Sequence, residues 1–96
     1  MIQSFADETT ADIFRDRNTK AARQIPKALW RIVQRKLKMV DVAARLEDLE
    51  SPAGNRLKVL KGRIKGRHSI RVNEQYRITF RWENGHAFEI AVEDYH

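Results

Sequence analysis

The segment Ser69-Ile70-Arg71-Val72-Asn73-Glu74-Gln75-Tyr76-Arg77-Ile78-Thr79-Phe80-Arg81-Trp82 decides the fold. Apolar and polar side chains alternate on both sides of Asn73-Glu74-Gln75, and a period of two belongs to a half-buried strand, not a helix. Ile70 and Val72 share one face of the first strand, and Tyr76, Ile78, Phe80 and Trp82 share that face on the second. A one-residue slip would turn a whole apolar set to water, so parity sets the register. Ile70 opposes Ile78, Val72 opposes Tyr76, and Asn73-Glu74-Gln75 forms the loop. Arg71 then faces Arg77, a like-charged pair that costs stability unless an anion lies between them.

Downstream, Asn84-Gly85 is a hairpin-turn pair leading into Phe88, Ile90 and Val92, with Glu89 and Glu93 on the alternate face. Parity puts Trp82 opposite Phe88, Phe80 opposite Ile90, Ile78 opposite Val92, Arg77 opposite Glu93 and Tyr76 opposite Asp94. Upstream, Leu57, Val59 and Lys61 alternate with Lys58 and Leu60 before the Lys61-Gly62 turn, completing a four-strand antiparallel meander.

The N-terminal half has a different period. Ile25, Leu29, Ile32, Val33, Leu37 and Val40 form one stripe at helical spacing, with Pro26 suited to the first helical position. Lys27, Arg31, Gln34, Arg35 and Lys38 take the opposite, solvated side, and Trp30 and Met39 flank the stripe as core. A shorter helical pattern through Val42, Ala43, Leu46 and Leu49 is stopped by Ser51-Pro52-Ala53-Gly54-Asn55. Ahead of both, Ile2 to Phe5 fits an edge strand, and Thr9 or Thr10 is a cap for a short helix carrying Ile13 and Phe14. The expected class is α+β, with N-terminal helices packed on one face of a small antiparallel sheet and residues 1–96 making a single domain.

Charge narrows the function. Between Arg56 and Arg81 stand Arg56, Lys58, Lys61, Arg63, Lys65, Arg67, Arg71, Arg77 and Arg81 against the single acid Glu74, within a chain of formal net charge +6. A polyanion is the natural counterpart, whether nucleic acid or an acidic protein. With no cysteine there is neither a disulfide framework nor a thiolate metal site. No apolar run reaches the roughly 20 residues needed to span a bilayer, and Met1 to Phe5 lacks a secretory pattern, so a cytoplasmic location is expected. The chain ends on Asp94-Tyr95-His96, a carboxylate, a phenol and an imidazole following a strand that leaves the sheet beside Arg77.

Asn55-Arg56-Leu57, Leu60-Lys61-Gly62, Ser69-Ile70-Arg71-Val72-Asn73, Tyr76-Arg77-Ile78 and Glu93-Asp94-Tyr95-His96 occur in that order. In this set the chain resembles the HigB branch of the RelE-type toxins, from its first residues to its last. The resemblance implies a RelE-like fold and a toxin of a type II toxin-antitoxin system: an endonuclease of messenger RNA that acts on the ribosome and is restrained by a HigA-type helix-turn-helix antitoxin. It also implies that Lys61 and Arg77 line the phosphate site and that Asp94, Tyr95 and His96 form the catalytic corner. Where some members carry a histidine, this chain has Lys58, so an imidazole's acid-base role does not transfer to that position.

The chemistry agrees with those assignments. Metal-free RNA cleavage needs a base for the 2′-hydroxyl, positive charge for the phosphorane-like transition state and a donor for the leaving oxygen. Asp94, Tyr95 and His96 offer proton-transfer groups, Arg77 and Lys61 offer charge, and Arg56, Lys58 and Arg71 are candidates for holding the RNA backbone. Tyr95 also suits stacking on a base. Either Asp94 or His96 suits the base or its orienter. His86 falls in a turn, His68 begins a strand, and three scattered imidazoles without a ligand motif do not make a metal site, so no cofactor is expected. Two other classes stay open: a noncatalytic toxin of the same fold that binds a protein target, and a basic RNA-binding regulator whose terminal tripeptide merely anchors a strand.

Overall fold

Period-two segments do build the sheet. The computed structural model describes residues 1–60 and 66–94. Among them four strands, β1 (Lys58–Val59), β2 (Arg67–Arg71), β3 (Tyr76–Glu83) and β4 (His86–Asp94), pair antiparallel in sequence order. Parity gave the register at the centre of this meander: Ile70 faces Ile78, Ile78 faces Val92, Arg71 faces Arg77, Arg77 faces Glu93 and Tyr76 faces Asp94. In the β2–β3 loop the Asn73 side-chain oxygen accepts from the Gln75 and Tyr76 amides at 2.9 and 2.7 Å, an Asx-type turn that fixes the hairpin. The β3–β4 turn is the tight pair Asn84-Gly85, both at positive φ (51° and 80°), the backbone that matches strand twist.

Toward that turn the expected register fails. Thr79 faces Ala91, but Arg81 faces Phe88 and Trp82 faces Ala87, because Glu89, at φ 52°, adds a residue opposite Phe80. The bulge turns Phe88 from the core face to the arginine face, where the Arg81 guanidinium lies 4.6 Å from its ring centroid. Small, fully buried Ala87 takes the core position instead.

The helical layer covers the Ile78 face. Helix α1 (Glu8–Phe14) is capped by Asp7, whose carboxylate accepts from the Thr10 amide at 2.8 Å. Neither expected threonine is the cap. Thr10 is fully buried, its hydroxyl accepting from the Val92 amide at 2.9 Å and so tying α1 to β4. After Pro26 the chain makes one 3-10 turn, Lys27–Leu29, and then α2 (Trp30–Val42), which buries Trp30, Val33, Leu37 and Val40 against Ile70, Ile78, Phe80 and Ile90. Each such side chain contributes on the order of 2 kcal/mol by leaving water, and Leu37→Ala would cost about 2–5 kcal/mol with its cavity.

The second helical pattern is not a helix. The chain leaves α2 at Val42, itself 66% exposed, and only a 3-10 turn follows at Leu46–Glu50. That turn buries Leu49, while the Asp48 carboxylate accepts from the Ala44 and Arg45 amides, both at 3.0 Å. Hydrogen bonds from those two amides hold the Asp48 carboxyl below its ordinary range. At the other end, Ile2 and Phe5 make parallel bridges to Ala87 and Ile90, covering the outer edge of β4, an edge that would otherwise invite pairing with another chain. They do so as isolated bridges and not as a continuous strand.

Candidate active site

The face of the sheet away from the helices carries the charge. Strand alternation points Arg77, Thr79 and Arg81 of β3 the same way, and the ladder adds Lys58 opposite Ser69, Ser69 opposite Thr79, and Arg71 and Glu93 on either side of Arg77. Arg77 is only 6% exposed. Its Nε donates to Ser69 Oγ at 2.8 Å, and one terminal nitrogen donates to the Arg56 carbonyl at 2.7 Å and to the Ser69 carbonyl at 3.4 Å. A buried guanidinium is costly unless its donors are matched, and a hydroxyl and two carbonyls are among its acceptors here.

The like-charged pair is resolved by divergence. The Arg71 Nε donates to the Asn73 carbonyl at 3.2 Å, away from the Ser69 hydroxyl that receives Arg77. Glu93 sits at the register position beside Arg77, and its carboxylate accepts from Thr79 Oγ1 at 2.5 Å, while Arg67 donates to the same hydroxyl at 3.2 Å. Arg81 is paired with carboxylates, Glu83 at 2.5 Å and Glu89 at 3.2 Å.

Arg56 also contributes through its backbone. Its side chain is exposed, but its left-handed backbone (φ 45°) turns the carbonyl toward Arg77. The residue before it, Asn55, is fully buried, and Lys36, on α2, donates to its side-chain oxygen. Burial, with the adjacent Arg35 charge, holds the Lys36 ammonium below its ordinary pKa. Sequence reading missed Lys36, because a lysine between Arg35 and Lys38 looks like part of a solvated stripe.

Arg77, Arg71 and Lys58 therefore share the open face, with the Arg56 carbonyl beneath Arg77. Asp94 ends β4 with the parity of Tyr76, alternate to Arg77; it is exposed and accepts from Gln75 Nε2 at 3.0 Å. Lys61, Tyr95 and His96 lie outside the described residues. His68 stacks on Phe80 on the core side, with 6.2 Å between centroids, and His86 is exposed at the start of β4 near Gln3. Among the described residues no cluster of histidine and acidic side chains has the makings of a metal site.

The architecture is thus a four-strand meander backed by two helices, with an arginine-lined open face. Over its whole length the chain superposes on a chain of a YoeB-YefM complex from Staphylococcus aureus with a TM-score of 0.60, at 18% identity and 98% coverage of that chain. A YoeB dimer structure from the same organism gives 0.60 at 22% identity, covering 99% of this chain and 94% of that one. At such identities the likeness concerns the fold. Sequence goes further: residues 3–96 match the model for the RelE-like toxin of type II toxin-antitoxin system HigB. Toxin HigB-1 of Vibrio cholerae is 38% identical over 93 residues, covering 97% of this chain and 96% of that protein. The chain belongs to the HigB-like toxin family, and an antitoxin partner comes with that membership.

Proposed function

We propose that this toxin is an endoribonuclease that cleaves messenger RNA held on the ribosome, using its own side chains and no metal ion. The observation that carries the reading is the Arg77 guanidinium, fixed on a cationic sheet face at the end where β4 finishes on Asp94. A guanidinium oriented in advance stabilises charge developing on a phosphate without reorganising during the reaction. Arg77 is assigned that role, with Lys61 as a second positive group.

The attacking 2′-hydroxyl must lose a proton and the 5′-oxygen must gain one. Asp94 and His96 are assigned to this transfer, one as base and the other as its orienter or the acid, and Tyr95 to stacking on the base beside the scissile bond. Lys58 and Arg71, with the Arg56 side chain, would grip the RNA backbone, giving a binding strength that falls steeply with salt.

On this reading the site needs the ribosome, because one carboxylate and one tail imidazole are a sparse acid-base set. Holding the 2′-hydroxyl in line with the scissile bond can contribute on the order of 7 kcal/mol or more. The toxin then works in the cytoplasm, and its partner is a HigA-type helix-turn-helix antitoxin. The test is induced expression with primer-extension mapping of a reporter message, translated or not. Discrete cuts within the translated frame are expected, and cuts in the translated message alone. Growth arrest with an intact message would favour a noncatalytic toxin that binds a protein target.

A further inference from the structure

We infer that Lys36 is a positioning residue for the phosphate site: its buried ammonium clamps Asn55, which fixes the arc from Leu49 to Arg56 whose last carbonyl holds Arg77. The inference rests on the proposed ribonuclease reading and names a contributor to it outside the open face.

Lysines on helices ordinarily carry their ammonium to water, as the exposed Lys38 does, yet Lys36 is 7% exposed. A buried ammonium is tolerated only with good partners, and an apolar side chain at this position of α2 would pack without that desolvation cost. What the charge secures is Asn55. The Asn55 side-chain amide, its oxygen held by Lys36, donates to the Leu49 carbonyl at 3.1 Å and the Ser51 carbonyl at 3.3 Å, and its backbone amide donates to the Pro52 carbonyl at 2.9 Å.

The next residue turns left-handed, donates its amide to the Ala53 carbonyl at 3.1 Å and delivers its own carbonyl to Arg77 at 2.7 Å. From Leu46 to Asn55 the chain has only two 3-10 turns, Leu46–Glu50 and Ala53–Asn55. Short turns of this kind are poor at fixing a backbone on their own. A charge-assisted bond from a rigid helix is a firmer anchor, and a shift of about 1 Å in a positioning group is enough to lower a rate severely.

The test is Lys36→Met in the full-length toxin, with single-turnover cleavage on programmed ribosomes and 15N NMR of the Arg77 Nη–H that donates to the Arg56 carbonyl. The cleavage rate should fall about tenfold or more while half-saturation by ribosomes stays within about twofold. The Nη–H signal should move toward that of an exposed arginine and exchange faster with solvent. Val33→Ala, a packing loss on the same helix, should change neither readout. A folded Lys36→Met protein with wild-type rate and an unmoved signal overturns the inference, as does an equal loss in Val33→Ala. If Lys36→Met does not fold, Asn55→Asp keeps an oxygen for the ammonium and loses the side-chain amide donations to the Leu49 and Ser51 carbonyls and to Met39 Sδ. The same displaced signal is expected there, and an undisturbed one refutes the clamp. Should the wild type cleave nothing on ribosomes, the ribonuclease reading fails, while the Arg77 signal still decides the positioning.

Discussion

Arg77 and Arg81 stand four residues apart on the same face of β3, yet the molecule treats them oppositely. Arg77 is buried and held by Ser69 Oγ and by the carbonyls of Arg56 and Ser69. Arg81 is partly exposed, bridged to Glu83 and Glu89 and laid over Phe88. A hydroxyl and backbone carbonyls fix the direction of the buried Arg77 guanidinium, whereas the carboxylate pairings of Arg81 lie near the surface and contribute little net stability. In the proposed reaction Arg77 is the group that meets the phosphate. Arg81 fastens the bulged end of the sheet.

The largest effect expected belongs to the Arg77 end. Deleting Tyr95 and His96 should abolish growth inhibition while moving unfolding free energy by no more than about 1 kcal/mol, the usual range for trimming a chain end. A stable, fully toxic truncation would remove the tail from the chemistry. Next, Arg77→Ala should slow cleavage roughly a hundredfold or more, as expected for one transition-state donor. Arg81→Ala should stay within about threefold, since what it loses is a surface pairing. Equal losses would mean a diffuse electrostatic role and no defined phosphate site; the helix control Arg35→Ala should resemble Arg81→Ala.

The smallest effect belongs to the 3-10 turn that leads toward Arg56. Amide donors lower the Asp48 carboxyl below its ordinary 3.8. A depressed folded value adds stability that is complete above the unfolded pKa and is lost as pH falls through the folded one. Asp48→Asn should therefore flatten a shallow acid limb in urea midpoints measured between about pH 2 and 5; an unchanged limb would assign it to other carboxylates.

The same contrast explains what the sequence revealed. Around Arg77, apolar residues on three neighbouring strands meet at Ile70, Ile78 and Val92, and parity alone determines the pairing. Near Arg81 the run Phe88, Ile90, Val92 alternates just as cleanly, but the bulge at Glu89 is hidden because Phe88 is accepted on the other face by a cation–π contact, and nothing in strand periodicity records that. Asp7, Thr9 and Thr10 are all capping residue types, and the choice fell to Asp7 because Thr10 is drawn inward by a β4 amide far along the chain. Val42 to Leu49 has helical spacing, yet Asp48 closes a 3-10 turn with the two amides preceding it. Lys36 was invisible for the same kind of reason: its burial depends on an asparagine 19 positions later. Strand parity put Arg71 and Arg77 opposite each other on one face, while the Arg56 carbonyl that also accepts from Arg77 is a backbone atom that no side-chain pattern announces.

The most direct test is a pair of single-turnover rates with purified toxin, on one message programmed in the ribosomal decoding site and on the same message naked. The account predicts rapid cleavage in the first case and nearly intact RNA in the second, with Arg77→Ala reducing only the ribosomal rate. Comparable wild-type rates on both substrates would contradict it.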